Sequence, residues 1–345
     1  MRRTILLFSV TALVLSACGS DGEEAEGPGS TTPRASASAE PADSPTESPT
    51  PDPYRTDYDI PPWGELVAMY EYDASEQLDY KVVAQSEEEG VSVYEITYES
   101  GGHKVPATFV IPAGSGPFPA VLYAPSNDLS VQWYVPDAIA LAGDGYAGLV
   151  ISSPETRPPY TCFYWMCWKA EGTIKAMTTY VIDALRGIDL LESLPEVDAE
   201  RVGFVGHAIG GNVGAIIAGI DERVDAYVLD NAVLHTAIPV SMAQWGEGPP
   251  ASEIPGYQDG VALLNATNYL GHNQNASFLA QFGRADTTSQ DGQGRQIYDA
   301  ISQPKTLRWY GTDVMLACTL RSGGGPCDPS LPAFAFHREW LQENL

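Results

Sequence analysis

The order of the apolar runs constrains this chain more than any other feature. Pro119-Ala-Val-Leu-Tyr123 is apolar without alternation, as a strand covered on both faces must be. A helical pattern follows at 135–143, then a second buried run at 146–151. Residues 174–194 place Met177, Val181, Ala184, Leu185, Ile188 and Leu191 at helical spacing and stop at Pro195. Strand 201–205, helix 211–220, strand 226–229, strand 278–282, helix 293–301, strand 306–309 and helix 333–345 continue the series. Such alternation implies an α/β fold with a mostly parallel sheet, right-handed crossovers and helices on both faces. Upstream, β-rich runs at 81–86, 91–98 and 104–111 are joined by short polar or glycine turns and predict an antiparallel start. The Gly-, Pro- and Asn-rich stretch 239–275 receives no element.

The first residues read as an export signal. Arg2 and Arg3 precede an apolar run, 4–15, too short to span a bilayer. It ends in Leu15-Ser16-Ala17-Cys18, which resembles a bacterial lipobox, with Cys18 as the lipidated residue of the mature N-terminus. An ordinary secretory signal that happens to contain a cysteine is the alternative. The expected division is a signal peptide at 1–17, an acidic Pro/Ser/Thr-rich linker at 18–54, and one domain at 55–345. The linker has no apolar period, so it cannot bury a core, and its prolines favour extended geometry.

Charge excludes one class of partner. The chain has 45 acidic and 18 basic residues among 345, a net charge of -27. Beyond residue 60 there remain 35 acids and 14 bases, net -21, so the domain is acidic in its own right. A nucleic-acid binder needs clustered Lys and Arg, which are lacking, and an anionic membrane surface would repel the domain. Membrane attachment is therefore expected only through the lipid. Export makes disulfides the natural reading of Cys162, Cys167, Cys318 and Cys327. Their spacing favours Cys162–Cys167 and Cys318–Cys327, and a cross-loop pairing stays open. No metal site or cofactor is expected.

Three stretches resemble the α/β-hydrolase superfamily, most closely its dienelactone-hydrolase and acetyl-xylan-esterase-like branch. They are Val105-Pro-Ala-Thr-Phe-Val-Ile-Pro112 with Gly116-Pro-Phe-Pro-Ala-Val-Leu122, Asp183 to Glu192 with Val197 to Gly206, and Phe282-Gly-Arg-Ala-Asp286 with Trp340-Leu341. The resemblance implies the α/β-hydrolase fold over roughly residues 80–345, with antiparallel N-terminal strands. It also implies a nucleophile in a G-x-S-x-G turn. Here that turn reads Gly206-His207-Ala208-Ile209-Gly210. A methyl group has no lone pair, so no acyl-enzyme can form on it.

The other triad positions diverge as well. Asp286 matches the acid that orients a histidine. Asp313 stands about where the resemblance puts the histidine itself, and no His lies between His272 and His337. His337, on the last helix, is expected at the surface or behind the site. The usual His-Gly after the third buried strand is replaced by Ala124-Pro125-Ser126-Asn127. The Ser126 and Ile209 amides hold the matching oxyanion positions, or the segment is a plain turn. Ala208, Asp286 and Asp313 are thus degenerate triad positions. Ser126, His207, Ile209 and Trp165 are candidate binding residues. Trp165 belongs to an aromatic group (Tyr160, Phe163, Tyr164, Trp168) in a loop over the site, which either binds a ligand or packs on itself.

Three elements depart together, which reads as a loss of ester hydrolysis. The expected protein is an exported, lipid-anchored α/β-hydrolase-like module for binding or scaffolding at the extracytoplasmic face. Its partner would be a small molecule, a glycan or a protein at the degenerate pocket. The alternative is an active carboxylic-ester hydrolase of the dienelactone-hydrolase type, using a non-standard nucleophile such as Ser126 or Ser152, or a metal. Cys18→Ala should release the protein from membranes or stall its processing, measured by fractionation and metabolic lipid labelling. Normal cleavage with unchanged retention would refute the anchor.

Overall fold

The computed structural model describes residues 51–126, 131–157, 168–244, 246–284, 291–311 and 328–345. Cys18, Cys162, Trp165, Cys167, Asp286, Asp313, Cys318 and Cys327 lie outside the described residues, as do Tyr160, Phe163 and Tyr164. The three N-terminal runs form β1 (Lys81–Glu88), β2 (Val91–Ser100) and β3 (His103–Ile111). The buried runs form β4 (Phe118–Ala124), β5 (Ala147–Ile151), β6 (Val197–His207), β7 (Ala226–Asp230), β8 (Ser277–Gly283) and β9 (Lys305–Tyr310). Together they make one sheet in the order β1-β2-β3-β5-β4-β6-β7-β8-β9. Pairing is antiparallel from β1 to β5 and parallel from β5 to β9.

Two helical layers cover this sheet. On one face lie α2 (Val135–Gly143) and α8 (Pro332–Asn344), packed on Val121, Val150, Val205, Val228 and Leu279. The other face holds α1 (Trp63–Ala68), α3 (Ala170–Ser193) and α4 (Ile209–Ile220), over Leu122, Leu149, Phe204 and Leu229. The helical spacing read from the sequence is the buried stripe of α3, where Ile188 and Leu191 are wholly enclosed. Each such side chain contributes about 1.5–3 kcal/mol through burial. Among the described residues no helix is long and apolar enough to cross a membrane.

The stretch 239–275 corrects the expectation of an element-free connection. It contains most of α5 (Ile238–Gln244) and all of α6 (Ile254–Val261), followed by three short 3-10 turns. In each helix a proline occupies the first turn, where its missing N–H is harmless. Ile254, Tyr257 and Val261 are buried at helical spacing. These prolines start helices, and composition alone hid that. Helix α7 (Asp291–Ala300) closes the β8–β9 crossover.

Buried charges tie the layers. Asp183 of α3, wholly enclosed, accepts from Ser100 Oγ at 2.6 Å and from Arg157 Nη2 at 2.5 Å, and pairs with His103 Nε2 at 2.9 Å. This carboxylate fastens the end of β2, the start of β3 and the segment after β5 to one helix. On the opposite face Asp137 of α2 binds His337 Nε2 at 2.7 Å and Arg338 of α8. His337, expected at the surface or behind the site, is therefore fully buried between helices, which rules out the surface. Phe334, one turn earlier, packs edge-on against its ring. Removing one partner of a buried ion pair strands the other charge, so Asp183→Ala should cost about 3–5 kcal/mol of unfolding free energy in urea titrations. A loss under about 1 kcal/mol would mean that Arg157 finds water instead.

Candidate functional site

Strand β6 passes into α4 through one residue. Ala208 has φ 49° and ψ -107°, a left-handed conformation that an L-residue adopts only when its surroundings impose it. Its N–H donates to Asp230 O at 2.9 Å, and its carbonyl accepts from Asn212 N–H at 3.1 Å. The two glycines of the turn answer to space. A Cβ on Gly206 would stand 2.2 Å from Gly210 O, and one on Gly210 would stand 1.8 Å from Ala124 O. Gly210 thus lets α4 start against the end of β4, where Ala124 is in register with Gly206.

Ser126 follows two residues after Ala124 and is buried. Tyr180 of α3 donates its hydroxyl to Pro125 O at 2.7 Å, holding this exit from β4 in place. Ile209, also buried, opens α4, whose first amides point out of the helix end. The structure therefore brings Ser126, His207, Ala208 and Ile209 to the C-terminal ends of β4 and β6. It gives Asp286, Asp313 and Trp165 no described position. Trp168 packs edge-on against Tyr257 of α6 and donates Nε1–H to Glu247 O at 3.3 Å. That member of the aromatic group is packed on the protein's own surface.

A polar row lies beside the turn, and sequence reasoning missed most of it. His207, Asp230, Gln281 and Arg308 are in mutual register on β6, β7, β8 and β9. Each follows by two residues a position on the α2/α8 side, so all four share that face. The first three are buried. Tyr310 donates its hydroxyl to Gln281 Oε1 at 2.7 Å. Burial, with Asp230 nearby, pushes the Tyr310 phenol up to about 12. The Tyr134 phenol is raised well above its ordinary value by burial and then by the Asp230 charge. A single signal was available: Asp230 ends an otherwise apolar strand.

All five histidines fall among the described residues. His103 pairs with Asp183, His337 with Asp137, and His272 stacks on Trp63 at 3.5 Å between ring centres. His207 ends β6, directly before Ala208. His235 is wholly buried beyond β7, where Asn212 of α4 donates Nδ2–H to its Nδ1 at 2.5 Å. None of them stands in the stretch just after β9, where the resemblance placed the base; His337 comes only on α8. Among the described residues no cluster of three metal-ligating side chains occurs.

No family model matches the chain. Solved structures do. An acetyl xylan esterase from Paenibacillus sp. R4 covers 85% of this chain and 98% of its own, with a TM-score of 0.66 at 17% identity. Acetyl xylan esterase 1 from Thermoanaerobacterium sp. JW/SL YS485 covers 81% and 92%, with 0.62 at 13%. A glucuronoyl esterase from Solibacter usitatus covers 81% and 91%, with 0.52 at 13%. The fold is that of the α/β hydrolases. At the β6–Ala208–α4 junction the strand enters the helix through one strained residue that bears only a methyl. The β4 exit at Ala124-Pro125 lies against Gly210 at the start of α4.

Burial lowers the His235 pKa to about 3, and protonation of Nδ1 would also break its bond from Asn212. The unfolded chain takes up this proton near pH 6.5 and the folded protein only near pH 3. Stability should therefore fall as pH drops below about 6.5, by up to about 1.4 kcal/mol per unit from this group. Urea titrations of wild type and His235→Gln at pH 7.5 and 5.0 check it. The variant should lose about 2 kcal/mol less than wild type over that interval, and equal losses would exclude His235 as the source.

Proposed function

We propose that this protein is an exported, lipid-anchored α/β-hydrolase-fold module that binds or scaffolds at the cell surface and has lost Ser-His-Asp ester hydrolysis. The observation that carries the reading is the alanine at the elbow. Its backbone is strained as a nucleophile's would be, yet its side chain cannot attack a carbonyl. The placement of the imidazoles supports it. His103 and His337 are held by carboxylates, His272 is stacked, and His235 is buried with too little proton affinity to act as a base near neutrality. Binding is proposed at the C-terminal ends of β4 and β6, for a small molecule, glycan or protein surface. Cys18 would supply the anchor and residues 18–54 the tether.

An active esterase would need another nucleophile. Ser152, after β5, is buried, and its Oγ has no hydrogen-bond partner among the described residues, so no base there reaches its proton. The acetyl xylan esterases that share the fold suggest esters as the probes.

The experiment is p-nitrophenyl acetate turnover with fluorophosphonate labelling. Wild type and Ala208→Ser should both stay at background, because a serine hydroxyl needs a base. Ala208→Ser with Asp313→His should gain a small, labelled activity, since Asp286 remains in sequence to orient the new imidazole. Ordinary esterase rates in wild type would defeat the non-catalytic reading. Such rates in Ala208→Ser alone would reveal a base elsewhere.

A further inference from the structure

One edge of the sheet carries a second candidate surface. Among the described residues strand β1 is the sheet edge and pairs with β2 alone. All eight of its residues are exposed, with Val82 at 50% and Val83 at 66%. An edge strand offers unpaired backbone N–H and C=O groups, and proteins normally blunt such an edge with a bulge, a proline or a covering segment. Here a register break lies between Val82 and Ala84, and charged residues, which also blunt edges, stand at Lys81, Glu87 and Glu88. Beyond the break the ladder is regular, from Ala84 opposite Glu95 to Glu88 opposite Val91. β1 contains no proline.

The α2 side of this edge is hollow. A cavity of about 580 Å³ lies between β1–β3 and the first turn of α2, bounded among others by Val83, Glu88, Glu95, Thr108, Val135 and Pro136. Among the described residues its two charged lining residues are both glutamates, and no lysine or arginine lines it. Glu87, next along β1, accepts from Ser92 Oγ at 2.8 Å and adds a third carboxylate at the same end of the strand. The groove is thus apolar and small-residue-lined, anionic, and bordered by a free strand edge. Its near wall, β3, is three strand steps from β6, roughly 14 Å at the usual inter-strand spacing, and β1 is five, so it is a different place from the Ala208 turn.

We propose that β1 and this groove dock an extended, lysine- or arginine-bearing segment of another polypeptide as an added strand. The edge supplies main-chain hydrogen bonds, and the groove receives alternate side chains of the segment. Glu88 and Glu95 select cationic ones. Charge argues against a second copy of this chain as the occupant. Each copy's residues beyond 60 carry net -21 and would bring the same glutamates to the contact.

The test uses the full chain in detergent and a fluorescein-labelled peptide, acetyl-Thr-Lys-Val-Lys-Val-Lys-Thr-amide, followed by fluorescence anisotropy. The peptide should bind with a dissociation constant below about 1 mM. Replacing its lysines with glutamates should weaken binding by about tenfold or more, and so should N-methylation of alternate backbone amides. The double variant Glu88→Lys, Glu95→Lys should weaken binding of the parent peptide to a similar degree with an unchanged melting temperature, since both side chains are exposed. Equal binding of the N-methylated peptide would reduce the effect to charge alone and overturn strand addition. No binding of the parent peptide would overturn the proposal, as would a dimer, seen by sedimentation, that the double variant dissolves. None of these readouts depends on whether the elbow hydrolyses esters.

Discussion

The carbonyl of Ala124 leaves no room for a side chain at residue 210, and much of the molecule follows from that contact. Because Gly210 touches β4, α4 begins directly against the sheet and β6 must turn within a single residue. Ala208 absorbs the turn with a left-handed backbone, a conformation that costs on the order of 1–3 kcal/mol. The surrounding packing supplies that energy: Val205 and Phe204 are wholly buried on opposite faces of β6, and Val213, Ile216 and Ile217 of α4 are wholly buried over it. The strain is thus a property of the scaffold and persists without a nucleophile to present.

What the scaffold presents is a helix start, a β4 exit held by Tyr180, and a row of polar side chains ending β6, β7 and β8. Under the proposed reading these features orient and recognise a ligand. Proton transfer needs more, because an imidazole must be close to the attacked group and have a usable pKa. The chain spends its imidazoles differently. His103 and His337 share buried carboxylates with Arg157 and Arg338, and these clusters bind layer to layer. His235 serves as an uncharged acceptor behind the elbow helix. The two proposed sites, at the Ala208 turn and at β1, both draw on preformed backbone, one in the middle of the sheet and one at its edge.

Legibility followed the range of the interactions. The strands at 119–123, 146–151, 201–205, 226–229, 278–282 and 306–309 correspond to β4–β9 within a few residues, because a strand covered on both faces must be apolar throughout. The α3 stripe was readable for the same reason. Helices α5 and α6 were not: their prolines and polar residues resemble a loop until burial of Ile254, Tyr257 and Val261 shows one face packed. For His337 the sequence left the surface or a place behind the site open, because Asp137, 200 residues away in sequence, was invisible as its partner.

By itself the sequence determined the alternation that makes a parallel sheet, the glycine spacing of the elbow and the alanine within it. Those are local properties, written in neighbouring residues and in the periodicity of burial. Only the tertiary structure decided where each histidine points, that Asp230 lines up with His207 and Gln281, and that β1 is left as an open edge above a glutamate-lined groove. Each of those depends on which distant strands and helices become neighbours, and strand order is set by long-range packing that no local pattern encodes.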